Sequence, residues 1–286
     1  MKEKKELRRI MMLLFVAVIL CIGLAGCGDA SSDEAGADAQ IQYAQPDNPN
    51  AAWPEPAAEA VAETAVGVVD LATAPDSPEF VGKMKEAKKA DQLFIVAGLG
   101  KTTAYVSMHQ KDENGNWKQI LTTPGFIGKY GLGKTKEGDA KTPVGTYHFN
   151  YAFGIAPDPG CTAFEYQQVT EDDYWSGDQR KGYGYNEMVS IKDLPDLNVD
   201  DSEHIVEYPV HYQYCMNISW NENGEKGKGS AIFLHCLGPQ KSYTGGCVAL
   251  PEDKVITAMR NVHEDCVVVI DSLKKISPEL WEEWGL

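Results

Sequence analysis

The chain has 286 residues, a formal net charge of −16 at pH 7 and 43% hydrophobic residues. With a leader and a linker set aside, roughly 200 residues remain, one ordinary domain by length. An acidic balance of this size excludes a nucleic-acid binder and argues against docking on an anionic membrane surface.

Residues 1–26 read as a leader. Lys2, Lys4, Lys5, Arg8 and Arg9 make a basic start, and Ile10 to Gly23 is almost wholly apolar. That run is short of the ~20 residues that span a bilayer comfortably, so a secretory signal is a better reading than an anchor helix. It ends in Leu24-Ala25-Gly26-Cys27, which resembles the bacterial lipobox. The resemblance implies cleavage before Cys27 and acylation of its thiol. The mature protein is then extracytoplasmic, lipid-anchored at the cell membrane and facing the cell wall. Residues 27–78 are rich in Ala, Pro and acids, with no Lys or Arg from Gly28 to Gly82. Too little apolar surface is present there to offset the entropy of ordering, so a disordered spacer is expected. Within it Val66, Val68, Val69 and Leu71 are candidates for a short strand or a docking segment.

Ser77-Pro78-Glu79 predicts a lead-in helix over 79–90, with Ser77 as N-cap and Pro78 at the first helical position. Phe80, Met84 and Ala87 would share its buried face. Strands follow at Leu93 to Ala97, Thr103 to His109 and Trp117 to Thr122, with Asn114-Gly115 as a hairpin turn. Few helical patterns precede residue 250, so residues 91–272 read as one mostly β domain, a β-rich α+β fold with a few peripheral helices. Gly128 to Thr135 matches the phosphate-loop pattern G-x-x-x-x-G-K-T. The residues after it include Gly138, Pro143 and Gly145, which no helix tolerates, and the phosphate site needs that helix. Nucleotide binding is therefore rejected. Thr146 to Asn150 is a further strand. Residues 151–200 crowd aromatic and polar groups together: Tyr174, Trp175, Asp178, Tyr183, Tyr185 and Asn186. They read equally as a cleft border or as a long loop with its own aromatic cluster. Ile205 to Ile218 alternates loosely, as a strand or a bent pair interrupted at Pro209.

The chain is organised around Ser230 to Leu250. Ala231 to Leu234 is a continuous apolar run, the pattern of a strand covered on both faces. His235 stands at its end. A polar loop leads to Thr244-Gly245-Gly246-Cys247, and Val248 and Leu250 resume the apolar pattern. A thiol becomes nucleophilic as the thiolate, which a neighbouring imidazole favours as an ion pair. Gly245 and Gly246 allow a tight turn, and their amides, with that of Cys247, are candidate donors to an oxyanion. A lone buried His or Cys is more often structural. The strand, His, loop, Gly-Gly-Cys, strand arrangement favours chemistry. Beyond it, Pro251 to Val262 reads as a helix, Val267 to Ile270 as a buried strand and 273–286 as a terminal helix capped by Ser277.

His235 with Thr244-Gly245-Gly246-Cys247-Val248 resembles the signature of YkuD-type L,D-transpeptidase catalytic domains. Gly138-Asp139 with Thr142-Pro143-Val144-Gly145 is similar to a second segment of that family. The resemblance implies a YkuD-like fold, Cys247 as nucleophile, His235 as proton donor and acceptor, and a backbone carbonyl orienting the imidazole. It implies an enzyme that forms 3-3 cross-links between peptidoglycan peptide stems through a cysteinyl thioester, needs no metal or organic cofactor and is acylated by carbapenems. Thr244, Tyr243, Lys241, Trp175 and Tyr185 are the candidate substrate contacts. Two positions depart from the family pattern: Cys236 follows the His where Gly is common, and Ala249 stands where Arg is common. An L,D-carboxypeptidase and an inactive wall-binding lipoprotein of the same fold are the alternatives. A zinc site from His235, Cys236, Cys247, His263 and Cys266 lacks a recognised ligand spacing. Besides Cys247, the domain carries Cys161, Cys215, Cys236 and Cys266, and their pairing is open at this stage.

Overall fold

The computed structural model describes residues 67–239 and 241–286. The leader, Cys27 and most of the linker lie outside the described residues. Apart from Pro239–Ser242, which separates from it, the described chain forms one body.

Twelve strands are present among the described residues. β1 (Gln92–Gly100), β2 (Thr103–Lys111) and β3 (Trp117–Phe126) form the expected antiparallel opening. β4 (Gly145–Gly154) and β5 (Tyr166–Gln168) follow. After an inserted region come β9 (Cys215–Ile218), β10 (Phe233–Cys236), β11 (Val248–Leu250) and β12 (Val267–Ser272). Their order is β12-β1-β2-β3-β11-β10-β9-β4-β5, and β12 also pairs with β4. The sheet therefore closes on itself as a barrel with β5 appended outside, which leaves the ring without open edges.

The barrel is closed by chemistry suited to both its faces. Gln92 through Gly98 of β1 is buried in full, because Phe94 and Val96 join the main core cluster while Leu93, Ile95 and Ala97 are covered on the other side. That core also takes Met108, Phe149, Met216, Leu234, Val248, Leu250 and Ile270. A second cluster gathers Phe153, Trp175, Ile205, Tyr212, Cys215, Phe233 and Cys247. It lies where the inserted region meets the strands that carry the motif. The insertion folds as its own small sheet, β6 (Asp173–Trp175), β7 (Met188–Ser190) and β8 (Glu203–His204), in the order β7-β6-β8.

Several expectations are corrected. The lead-in helix is only α1 (Glu79–Lys83), followed by a 3-10 turn at Glu86–Lys88. Pro78 is its N-cap, and the Ser77 hydroxyl is engaged instead by His109, at 2.9 Å. Phe80, Met84 and Ala87 are buried as expected. Residues 67–78, read from composition as the end of the spacer, pack on the domain: Val69 and Leu71 lie against the core, and the Val69 amide donates to Asn261 at 2.7 Å. Ile205 to Tyr214 is not a strand. Ile205–Glu207 is a 3-10 turn, and the Tyr212 amide donates back to the Tyr208 carbonyl at 2.9 Å. Pro209 lacks the amide a ladder needs, and Ile205, Val206, Tyr208 and Tyr212 face the second cluster together rather than alternate sheet faces, while Val210 is exposed. The motif strand begins at Phe233, since Ala231 has φ 54°. α2 (Glu252–Asn261) follows β11. The terminal helix is two short ones, α3 (Leu273–Ile276) and α4 (Pro278–Trp284), the second capped by Ser277, which accepts the Leu280 amide at 3.2 Å.

Candidate active site

β10 and β11 run parallel in the register Leu234↔Val248, His235↔Ala249, Cys236↔Leu250. Leu234, Cys236, Val248 and Leu250 enter the main core, while Phe233 and Cys247 enter the second cluster. Side chains alternate across a strand, so His235 and Cys247 share one face of adjacent strands, one pleat apart. Cys236 points to the other face, its thiol 3.7 Å from the Tyr214 carbonyl.

Cys247 sits on a turn that requires glycine. Gly246 has φ 146°, and a Cβ there would lie 2.8 Å from the Lys141 carbonyl oxygen. Two threonines hold the turn. Thr244 donates to the Cys247 carbonyl at 2.7 Å and accepts the Gly246 amide at 3.1 Å. Thr142 donates to the Gly246 carbonyl at 2.7 Å and accepts the Gly128 amide at 2.9 Å. The Gly246 amide is thus spent inside the turn, which removes it from the expected oxyanion donors; the amides of Gly245 and Cys247 remain candidates.

The thiol donates to the Ala231 carbonyl at 3.2 Å and receives the Phe233 amide at 3.4 Å. Ala231 is itself fixed: its amide donates to Asn186 Oδ1 at 2.9 Å. The same oxygen accepts Trp175 Nε1 at 3.0 Å, and Asn186 Nδ2 donates to the carbonyls of Trp220 and Asn221. Every hydrogen-bonding capacity of this buried amide is used, as a polar group in that position requires. His235 Nδ1 lies 2.8 Å from the Cys236 carbonyl. A carbonyl only accepts, so Nδ1 carries the proton and Nε2 presents a lone pair. The rings of Tyr212 and His211 stand edge to face on the imidazole, at 5.5 and 5.8 Å.

Burial sets the resting protonation. It pushes the Cys247 thiol up to about 12, helped by the Glu203 carboxylate and opposed by the Phe233 amide and the Lys134 ammonium. It lowers His235 to about 4, with the Cys236 hydrogen bond opposing. The expected thiolate–imidazolium pair is therefore replaced, in this closed resting site, by a neutral thiol and a neutral imidazole.

The other candidates divide. Trp175 is buried, stacked on Phe153 at 5.7 Å, and bears on the site through Asn186 rather than as a cleft wall. Tyr185 is buried and donates to Glu137 at 2.7 Å. Thr244 is part of the turn. Tyr243 is half-buried with Lys129 over its ring at 5.7 Å. Lys241 falls in the separate Pro239–Ser242 stretch. All five domain cysteines are free thiols. Among the described residues no three His, Cys, Asp or Glu side chains converge as metal ligands, and Cys236 and Cys247 face opposite ways, which dissolves the zinc arrangement. The phosphate-loop lookalike carries no helix; Lys134 is buried in an ion pair with Asp139 at 3.2 Å, and Asp139 accepts the amides of Thr135, Lys136 and Lys141. Sequence reasoning missed Thr142, Ala231 and Glu203 as parts of the site. The sequence presents Asn186 only as one of a crowd of aromatic and polar residues.

No curated protein matches the chain. The family model for the YkuD L,D-transpeptidase catalytic domain matches residues 95–270, which runs from within β1 to within β12 and takes in both motif segments. The chain belongs to the YkuD family of L,D-transpeptidase catalytic domains.

Proposed function

We propose that the protein is a lipid-anchored, extracytoplasmic L,D-transpeptidase that joins peptidoglycan stems by 3-3 cross-links through a thioester on Cys247. The Cys247 sulfur attacks the carbonyl of the third residue of a tetrapeptide stem as its proton passes to His235 Nε2. The C–N bond to the terminal D-Ala breaks, and that proton goes to the leaving amine. An amine of a neighbouring stem then attacks the thioester, the C–S bond breaks, and the thiol is restored. The observation that supports this reading is the pairing of an imidazole in the Nδ1-protonated form with a thiol on the same face of the next strand. Binding of substrate must turn the thiol from the Ala231 carbonyl toward Nε2.

The test is intact mass measurement after incubation with a carbapenem, alongside turnover of isolated muropeptides. Wild type and Cys236→Ala should gain one adduct and release D-Ala; Cys247→Ala should do neither. An adduct that survives Cys247→Ala and vanishes in Cys236→Ala would reassign the nucleophile. Tripeptide without dimer would make the enzyme a carboxypeptidase. The anchor has its own measurement: globomycin should accumulate the unprocessed precursor, and unchanged mobility with soluble release would exclude lipidation at Cys27.

A further inference from the structure

Glu203 is an acid that the reaction above does not use. It lies in β8, paired with Trp175 of β6. The residue is half-buried and its carboxyl is turned inward, where Oε2 accepts the Tyr212 hydroxyl at 2.6 Å. The Tyr212 ring stands edge to face on His235 at 5.5 Å and on Phe233 at 5.7 Å, inside the cluster that holds Cys247. Tyr212 donates to the Glu203 carboxyl, and the like charge of Glu137 helps to raise it. The charge of Glu203 itself raises the thiols of Cys247 and Cys215 and the hydroxyl of Tyr208. Across the face, the residue in register with His235 is Ala249, small and uncharged. The cation that bears on Cys247, Lys134, is already neutralised by Asp139 at 3.2 Å. Of the two charges that bear on Cys247, the cation is thus held by Asp139 and the anion is Glu203, a balance that complements an ammonium group and repels a carboxylate.

Resting on the transpeptidase reading, we infer that Glu203 receives the acceptor: its carboxylate binds the ammonium of the incoming primary amine beside the acylated Cys247 and removes one proton from it. An ammonium has no lone pair, so the acceptor must lose that proton before it attacks. The amine nitrogen then bonds to the thioester carbonyl carbon and the C–S bond breaks. The second proton leaves the nitrogen through His235 Nε2 to the departing thiolate, restoring the thiol. The proton held by Glu203 returns to water. Burial raises the Glu203 carboxyl to about 7, where a base is both available and strong enough to act near neutrality.

The full-length protein, wild type and Glu203→Gln, is incubated with a disaccharide-tetrapeptide as both donor and acceptor. Burst release of D-Ala reports acylation, and the ratio of dimer to tripeptide reports aminolysis against hydrolysis. Glu203→Gln should lower the dimer ratio by roughly a hundredfold or more with a far smaller change in the burst. It should also make Cys247 react faster with iodoacetamide, because a charge opposing the thiolate is gone. In wild type the dimer ratio should climb through about pH 7, and in the variant that limb should be absent. Tyr212→Phe, which frees the carboxyl without removing it, should show a smaller drop of the same kind. An unchanged ratio, a parallel loss of burst and ratio, or slower alkylation would each overturn the assignment. Absence of any D-Ala burst in wild type would overturn the transpeptidase reading, and this one with it.

Discussion

At the scale of single residues, burial decides the chemistry of the nucleophile. His235 at about 4 and Cys247 at about 12 bracket the whole physiological range, so both are neutral there. The thiol is then activated only when substrate brings it to Nε2, by general-base transfer rather than as a preformed ion pair. Iodoacetamide alkylation of Cys247 in the resting protein should accordingly rise with pH throughout about pH 6 to 9, since the thiolate fraction grows about tenfold per unit below its midpoint. A rate that levels off near pH 6 would show the ion pair instead. His235→Asn should barely change this alkylation while abolishing acyl transfer. The sequence offered the right residue types and spacing for a Cys–His pair. It carried no measure of how deeply Phe153, Trp175, Tyr212 and Phe233 bury them, because three of those four come from outside the motif. Ala231 shows the same limit: a positive φ on an alanine held by Asn186 has no signal in a run of apolar residues.

At the scale of elements, two loops far apart in the chain make one support. The connection from β3 to β4 carries Thr142, and the loop from β10 to β11 carries Gly246 and Cys247; the Thr142 hydroxyl joins them across 104 positions of sequence. Lys134 and Asp139 brace the first loop from within. Thr142→Val keeps the shape and removes the hydroxyl, so the turn loses its hydrogen bonds to Gly128 and Gly246. The nucleophile then shifts, and misplacement of about 1 Å costs roughly a hundredfold in rate. Acylation should fall by about that factor with the β circular dichroism signal unchanged, and Thr142→Ser should recover most of it. Equal loss in Thr142→Ser would mean that the methyl packing matters and the hydroxyl does not. Gly246→Ala places a Cβ against the Lys141 carbonyl at an unfavourable φ, a strain on the order of 1–3 kcal/mol, and should lower both activity and melting temperature. The Gly-Asp…Thr-Pro-Val-Gly segment was legible as a family motif, but the position it supports was not, since a hydrogen bond between distant loops leaves no local pattern.

At the scale of the whole molecule, the antiparallel opening of β1 to β3 was readable from alternation and the Asn114-Gly115 turn. Closure was not, because it depends on β12 pairing with β1 on one side and β4 on the other. The ordering of residues 67–78 was legible only in part: Val69 and Leu71 were readable as a docking segment and do pack on the core, but the acidic composition argues for a spacer and gave no sign that Lys118 pairs with Asp76 at 2.7 Å or that His109 reaches Ser77. His109 makes that docking sensitive to acid. It is fully buried in β2, with Nδ1 2.9 Å from the Ser77 hydroxyl and Nε2 2.8 Å from that of Ser107, and burial lowers it to about 3. In the unfolded chain a histidine takes up its proton near ~6.5. Between those values the unfolded state binds the extra proton, so the stability from keeping this ring neutral is fully present above ~6.5 and is lost as pH falls toward 3. His235, lowered to about 4, acts in the same direction. The melting temperature of the full-length protein should therefore decline from about pH 6.5 downward. His109→Gln keeps a polar group in the cavity but cannot take up a proton. It should melt lower than wild type at pH 8, where hydrogen bonds are lost, and fall less steeply with acid. Curves that stay parallel from pH 8 to pH 4 would show that His109 is not the group being titrated.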